Sequence, residues 1–73
     1  MTKPAAPAFD LQTYDHAATA WKTVGTYDTS TDVRAEDNAY YAYRVHSAAG
    51  PTRLLKDGVT HRGYDDPDDY YNR

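Results

Sequence analysis

The chain has no cysteine and no isoleucine among its 73 residues. Without cysteine there are no disulfides and no thiolate zinc sites, the usual staples of very small domains. Long hydrophobic runs are missing too, and nothing approaches the ~20 apolar residues needed to span a bilayer. Lys3 stands near the N-terminus without the apolar segment of a signal peptide. These absences predict a soluble, cytoplasmic protein with no membrane partner. There is also no G-x-S-x-G, no Gly-rich phosphate loop and no cysteine nucleophile. A chain this short has little room for both a core and an enclosed pocket, so the expectation is a non-enzymatic protein without a cofactor.

Aliphatic side chains are scarce: Val24, Val33, Val45, Val59, Leu11, Leu54 and Leu55, with Phe9 as the single phenylalanine. Such low content of Leu, Ile, Val and Phe borders on disorder. What the chain has instead is aromatic surface, Trp21 and eight tyrosines. An aromatic ring buries about 150–250 Å², so a core is expected to be built largely from rings. Tyrosine hydroxyls need partners, which suits wet edges or an interface, and self-association into a homo-oligomer is compatible with this. One domain is the limit, since a chain of this size buries only about 60% of its unfolded surface.

Charge is distributed unevenly. Residues 1–62 carry seven acids (Asp10, Asp15, Asp28, Asp32, Glu36, Asp37, Asp57) and seven bases (Lys3, Lys22, Arg34, Arg44, Arg53, Lys56, Arg62). The net charge of −3 therefore comes from residues 63–73, Gly-Tyr-Asp-Asp-Pro-Asp-Asp-Tyr-Tyr-Asn-Arg. A neutral body with an acidic, tyrosine-rich tail suggests a folded unit plus a segment free to touch something else.

Along the chain, residues 1–19 read as a flexible Pro/Ala arm and lead-in, in which Phe9, Leu11 and Tyr14 could dock and Asp15–Ala20 could form a helical turn. Trp21–Tyr27 is a strand by composition. Thr29 and Asp32 match a weak capping box, and Gly50-Pro51 a helix stop, framing a helix of nearly twenty residues. Ala35, Ala39, Ala42, His46 and Ala49 share one face of that helix, flanked by Tyr43 and Val45, so it can approach a sheet closely. A strand over 38–46, where Tyr41, Tyr43 and Val45 alternate, is the competing reading; the length of the framed segment favours the helix. Asp57-Gly58 between two short strand-like runs predicts a type I′ hairpin, with Lys56 opposite Val59, Leu55 opposite Thr60 and Leu54 opposite His61. The expected fold is thus α+β, a single β-α-β-β domain over 20–62 with one helix on a three-stranded sheet. An acidic tail over 63–73 follows it.

The succession of Trp21, Tyr27-Asp-Thr, an Ala-rich helix, Gly50, Leu54-Leu55, Asp57-Gly58 and Tyr64-Asp-Asp-Pro resembles small uncharacterised bacterial proteins of βαββ type, over roughly residues 20–67. The resemblance implies the fold and carries no activity and no site residues.

For function, the tail offers the residues of choice. Asp65, Asp66, Asp68 and Asp69 lack the spacing of a calcium loop and are split by Pro67, so a solvated acidic end outweighs a metal site. With Tyr64, Tyr70 and Tyr71 they form an acidic-aromatic segment suited to a basic protein partner. His16, His46 and His61 follow no ligand pattern. Arg44, Arg53, Lys56, His61 and Arg62 could make a basic patch, but balanced body charge and an acidic tail argue against direct nucleic-acid binding. The tail could also fold back and screen these bases. The expectation is an accessory or regulatory protein-binding module that contacts its partner through Tyr64, Asp65, Asp66, Asp68, Asp69, Tyr70 and Tyr71. The alternative is a phage or mobile-element inhibitor of a nucleic-acid-handling protein, acting by partial nucleic-acid mimicry.

Overall fold

Alternation in Phe-Asp-Leu-Gln within Ala-Phe-Asp-Leu-Gln-Thr-Tyr-Asp makes the first element a strand, β1 (Ala8–Asp15). Phe9 and Leu11 point to one side and are almost wholly buried, at 1% exposure each. In the computed structural model, which describes residues 8–72, β1 is followed by β2 (Ala20–Asp28), α1 (Ala35–Ser47), β3 (Thr52–Lys56), β4 (Val59–Gly63) and the short α2 (Pro67–Tyr71). The strands form one antiparallel sheet in the order β2-β1-β3-β4. α1 leaves edge strand β2 and returns the chain to β3 on the far side of β1.

The domain is α+β as expected, but its sheet has four strands rather than three, and its main order is β-β-α-β-β. Residues 8–15, expected as lead-in, are the strand at the centre. Three of the arm's large groups explain this. Phe9 and Leu11 supply most of the large apolar surface facing α1, while Tyr14 packs edge-on against Trp21 of β2 at 5.3 Å. A three-stranded sheet without β1 would keep only Leu54 of the large buried side chains, losing Phe9 and Leu11. The rest of the expected arm, residues 1–7, lies outside the described residues.

The connection between β1 and β2 is a tight hairpin turn rather than the expected helical turn. The Asp15 carboxylate accepts from the amides of Ala17 (2.9 Å) and Ala18 (3.3 Å), and it pairs with Lys22 of β2 at 2.8 Å. Hydrogen bonding to Lys22, helped by those amides, holds the Asp15 carboxyl below its ordinary value. A bulge at Val24 interrupts the β1–β2 ladder, where Leu11 faces Gly25 and Gln12 faces Thr23. Tyr27 lies over Gly25 and packs against the core from the edge.

α1 is helical where the alternative was a strand, but it is shorter than its sequence frame. It starts at Ala35 with no side-chain cap on Arg34. Asp32 works one turn earlier: its carboxylate takes the Arg34 amide at 2.8 Å and its carbonyl the Ala35 amide at 3.1 Å. Ala35 and Ala39 are buried, and these small residues let the helix axis approach Leu54 of β3, itself fully buried. Tyr27, Tyr40, Ala42 and Tyr43 seal this thin core at its margins. His46, placed by the helical wheel on the alanine face, is exposed.

The β3–β4 hairpin follows its turn signal. Asp57 (φ 53°) and Gly58 (φ 84°) both adopt the left-handed backbone that a type I′ turn requires. Lys56 faces Val59 and Leu55 faces Thr60 as expected. Leu54, however, faces Arg62, because a bulge at His61 adds one residue to β4. That bulge puts both His61 and Arg62 near Tyr40 on the helix side of the sheet.

Candidate functional site

The acidic tail turns back at Gly63, whose φ of +91° suits only glycine; a Cβ there would collide with the Thr52 carbonyl oxygen. From this point residues 64–72 cross the end of the sheet face that α1 leaves open. On that face the alternation of β1 and β3 places Gln12 beside Arg53. Arg53 Nε donates to Gln12 Oε1 at 2.8 Å, and its guanidinium stacks over the Trp21 ring at 4.4 Å. The tail closes on this platform through Asp65. The Asp65 carboxylate meets Arg53 at 3.4 Å and accepts from the Thr60 hydroxyl, while its backbone carbonyl accepts from Trp21 Nε1 at 3.2 Å.

Beyond the latch, Asp66 caps a new helix. Its carboxylate accepts from the Asp68 amide at 2.9 Å, and Pro67 occupies the first helical position. α2 is anchored by Tyr70, whose hydroxyl donates to the Ser47 carbonyl at 2.7 Å, one of the carbonyls the end of α1 leaves without a helical partner. Tyr71 lies edge-on to Tyr70 at 5.1 Å, and its hydroxyl sits 3.3 Å from His16 Nε2. A cleft of about 250 Å³ opens beside it, with His16 and Tyr14 on one wall and His46 and Pro51 on the other.

The seven tail residues singled out by sequence thus divide by role. Asp65 and Tyr70 tie the tail to the body, Asp66 caps α2, and Tyr64 is half-buried. Asp68, Asp69 and Tyr71 face solvent, the last at 61% exposure. The fold-back that would screen the bases occurs, and it takes up one of them, Arg53.

The remaining bases are arranged elsewhere. Arg62 stacks over the Tyr40 ring at 5.3 Å, Tyr40's hydroxyl lies 2.8 Å from His61 Nε2, and Lys56 sits over the Phe9 ring at 5.9 Å. Arg62, Arg44, Tyr40 and Tyr43 enclose a second cleft of about 280 Å³ between α1 and β4. Sequence spacing alone could not separate Arg53 from Arg62, since β-alternation is broken by the bulge at His61. Comparison with protein-family models, with curated proteins and with solved structures yields no match.

Proposed function

We propose that this is a small non-enzymatic protein-binding module, of accessory or regulatory type, whose contact element is the acidic helix α2. The observation that carries this reading is the anchoring of the tail: Asp65 and Tyr70 fix it to the body and leave Asp68, Asp69 and Tyr71 outward on one short rigid element. A contact segment ordered before binding loses little conformational entropy when a partner arrives. Carboxylates beside an exposed tyrosine suit a partner surface carrying arginine or lysine.

The test is Asp68→Lys with Asp69→Lys in the full chain. Among the described residues neither side chain touches the body; both stand in the first turn of the five-residue α2, so circular dichroism should change only slightly. Capture of a binding partner from nuclease-treated lysate should be lost. Equal capture by the variant and the wild type would move the contact surface off α2. Deleting residues 63–73 is a poorer experiment, because it also removes the last residue of β4 and every tail contact to Trp21 and Arg53.

A further inference from the structure

The cleft between α1 and β4 has the chemistry that α2 lacks. Its walls are Arg44 and Arg62 and its floor is the rings of Tyr40 and Tyr43. Among the described residues the ion pairs are Lys22–Asp15 and Arg53–Asp65, so neither wall arginine is in an ion pair there, and the carboxylate of Glu36 accepts instead from the Tyr40 hydroxyl at 3.2 Å. Tyr40 is already packed between Phe9, edge-on at 5.9 Å, and the Arg62 guanidinium. The Tyr40 ring is thus engaged by its own body, which disfavours it as a stacking platform for a nucleic-acid base. What stays open to a ligand is guanidinium surface, which takes carboxylates and phosphates alike, and of the two it is carboxylates that this acidic chain itself presents. Beside the cleft, Tyr41 and Val45 stand one helical turn apart around Arg44, both exposed, at 68% and 52%. Two cations next to an aromatic-aliphatic pair call for a partner segment with carboxylates and a ring.

Such a segment is present in the same chain. Asp68 and Asp69 are exposed and, among the described residues, in no ion pair, and Tyr71 is exposed next to them. α2 is tied to Trp21, Arg53 and the end of α1, so it is committed to its own body and presents its acids outward. The core is also thin: among the described residues the buried apolar side chains are Phe9, Leu11, Ala35, Ala39 and Leu54. Oligomerisation is one of the ordinary ways in which a domain of this size gains stability. Resting on the reading of α2 as the contact element, we infer that the Arg44–Arg62 cleft of one copy receives the Asp68–Tyr71 segment of a second copy. Acidic helix and basic cleft are different surfaces, so the contact is head-to-tail and each subunit keeps one donor and one acceptor surface free for the next.

Sedimentation of the full-length chain across a micromolar-to-millimolar range tests this directly. Wild type should associate with rising concentration, and the association should weaken in high salt. Arg44→Glu with Arg62→Glu, and separately Asp68→Lys with Asp69→Lys, should each weaken it by about 30-fold or more. Mixing the two variants should restore association between unlike chains only, in strict alternation, since the acidic tail of one fits the basic cleft of the other and the lysine tail fits the glutamate cleft. Placing all four substitutions on one chain should restore association that is reversible on dilution and weakened by salt, which aggregation of a misfolded variant would not be. Arg44→Glu alone, which leaves the Arg62–Tyr40 stack intact, should give a smaller loss of the same sign. A wild type that stays monomeric throughout, or association that survives both double variants, overturns the inference. So does an Arg62-dependent shift of a single-stranded oligonucleotide without self-association. If wild type is monomeric yet capture of another protein still depends on Asp68 and Asp69, the second copy is the wrong occupant and α2 remains the contact element.

Discussion

The two faces of the sheet are held by different physics. Under α1 the contact is dry, and Phe9, Leu11 and Leu54 meet Ala35 and Ala39 with almost no exposure. On the opposite face the tail is held by directed polar contacts, in which Arg53, Trp21 and Thr60 converge on Asp65 while Gln12 holds the Arg53 guanidinium in place. The first face draws on surface removed from water, which is non-directional and large. The second draws on geometry, and its net contribution is smaller because each group exchanges water for a protein partner. A domain with so few aliphatics therefore uses one face for stability and the other to set the position of its tail.

Leu54 and Arg53 are chain neighbours on opposite faces of β3, and they offer the sharpest way to break this comparison. Leu54→Ala should cost about 2–5 kcal/mol, a large share of the roughly 4–10 kcal/mol expected for a chain of this size. Arg53→Ala should cost about 1–2 kcal/mol. Urea denaturation of both variants checks this, and equal losses would abolish the distinction between the faces. Next in size is Gly63→Ala, where a left-handed backbone and a collision with Thr52 combine for about 1–3 kcal/mol. Gly58→Ala is the control: it has a similar positive φ but open space around its Cβ, and should cost about 1–2 kcal/mol. Smaller still is Asp65→Ala. It removes the carboxylate from Arg53 and Thr60, and should change stability by about 1 kcal/mol or less. Its clear signal should be optical: Trp21 is the single tryptophan, and releasing the tail should shift its emission to the red.

The smallest effect belongs to the β1–β2 turn. Asp15 has its carboxyl lowered, chiefly by the hydrogen bond from Lys22, and Lys22 is raised by the same contact. A lowered carboxyl adds stability above the ordinary carboxylate range and loses it as pH falls through the folded-state value. Lys22→Met should move the Asp15 titration, followed by NMR, back up toward its ordinary position. Lys22 is exposed and Asp15 partly so, and the change in stability should be slight.

Elements with a local cause were legible in the sequence. Asp57-Gly58 dictates its own hairpin, the alanine stripe marks the buried side of α1, and Trp21–Tyr27 has strand composition. β1 was obscured by its neighbours: its Phe-Asp-Leu-Gln alternation is clean, but it follows a Pro/Ala stretch and precedes a turn without glycine, in which Thr19 takes the positive φ. The tail held a readable signal in Asp66-Pro67, a capping residue followed by proline at the first helical position. It was masked because four aspartates also read as a solvated charge run. The latch and the Arg44–Arg62 cleft were not legible, since both depend on register across strands, and the bulges at Val24 and His61 shift that register without a local marker.

The central position of β1 also bears on the order of assembly. β2 can close one edge of it as soon as the first hairpin forms, but the other edge waits for β3, some forty residues later in the chain. Until Leu54 and its neighbours arrive, the strand that carries Phe9 and Leu11 shows a bare row of amides and carbonyls beside uncovered apolar side chains. That intermediate is the form most prone to pair with another chain. Slowing the arrival of β3 should therefore lower the yield of folded protein more than any equal delay in the tail.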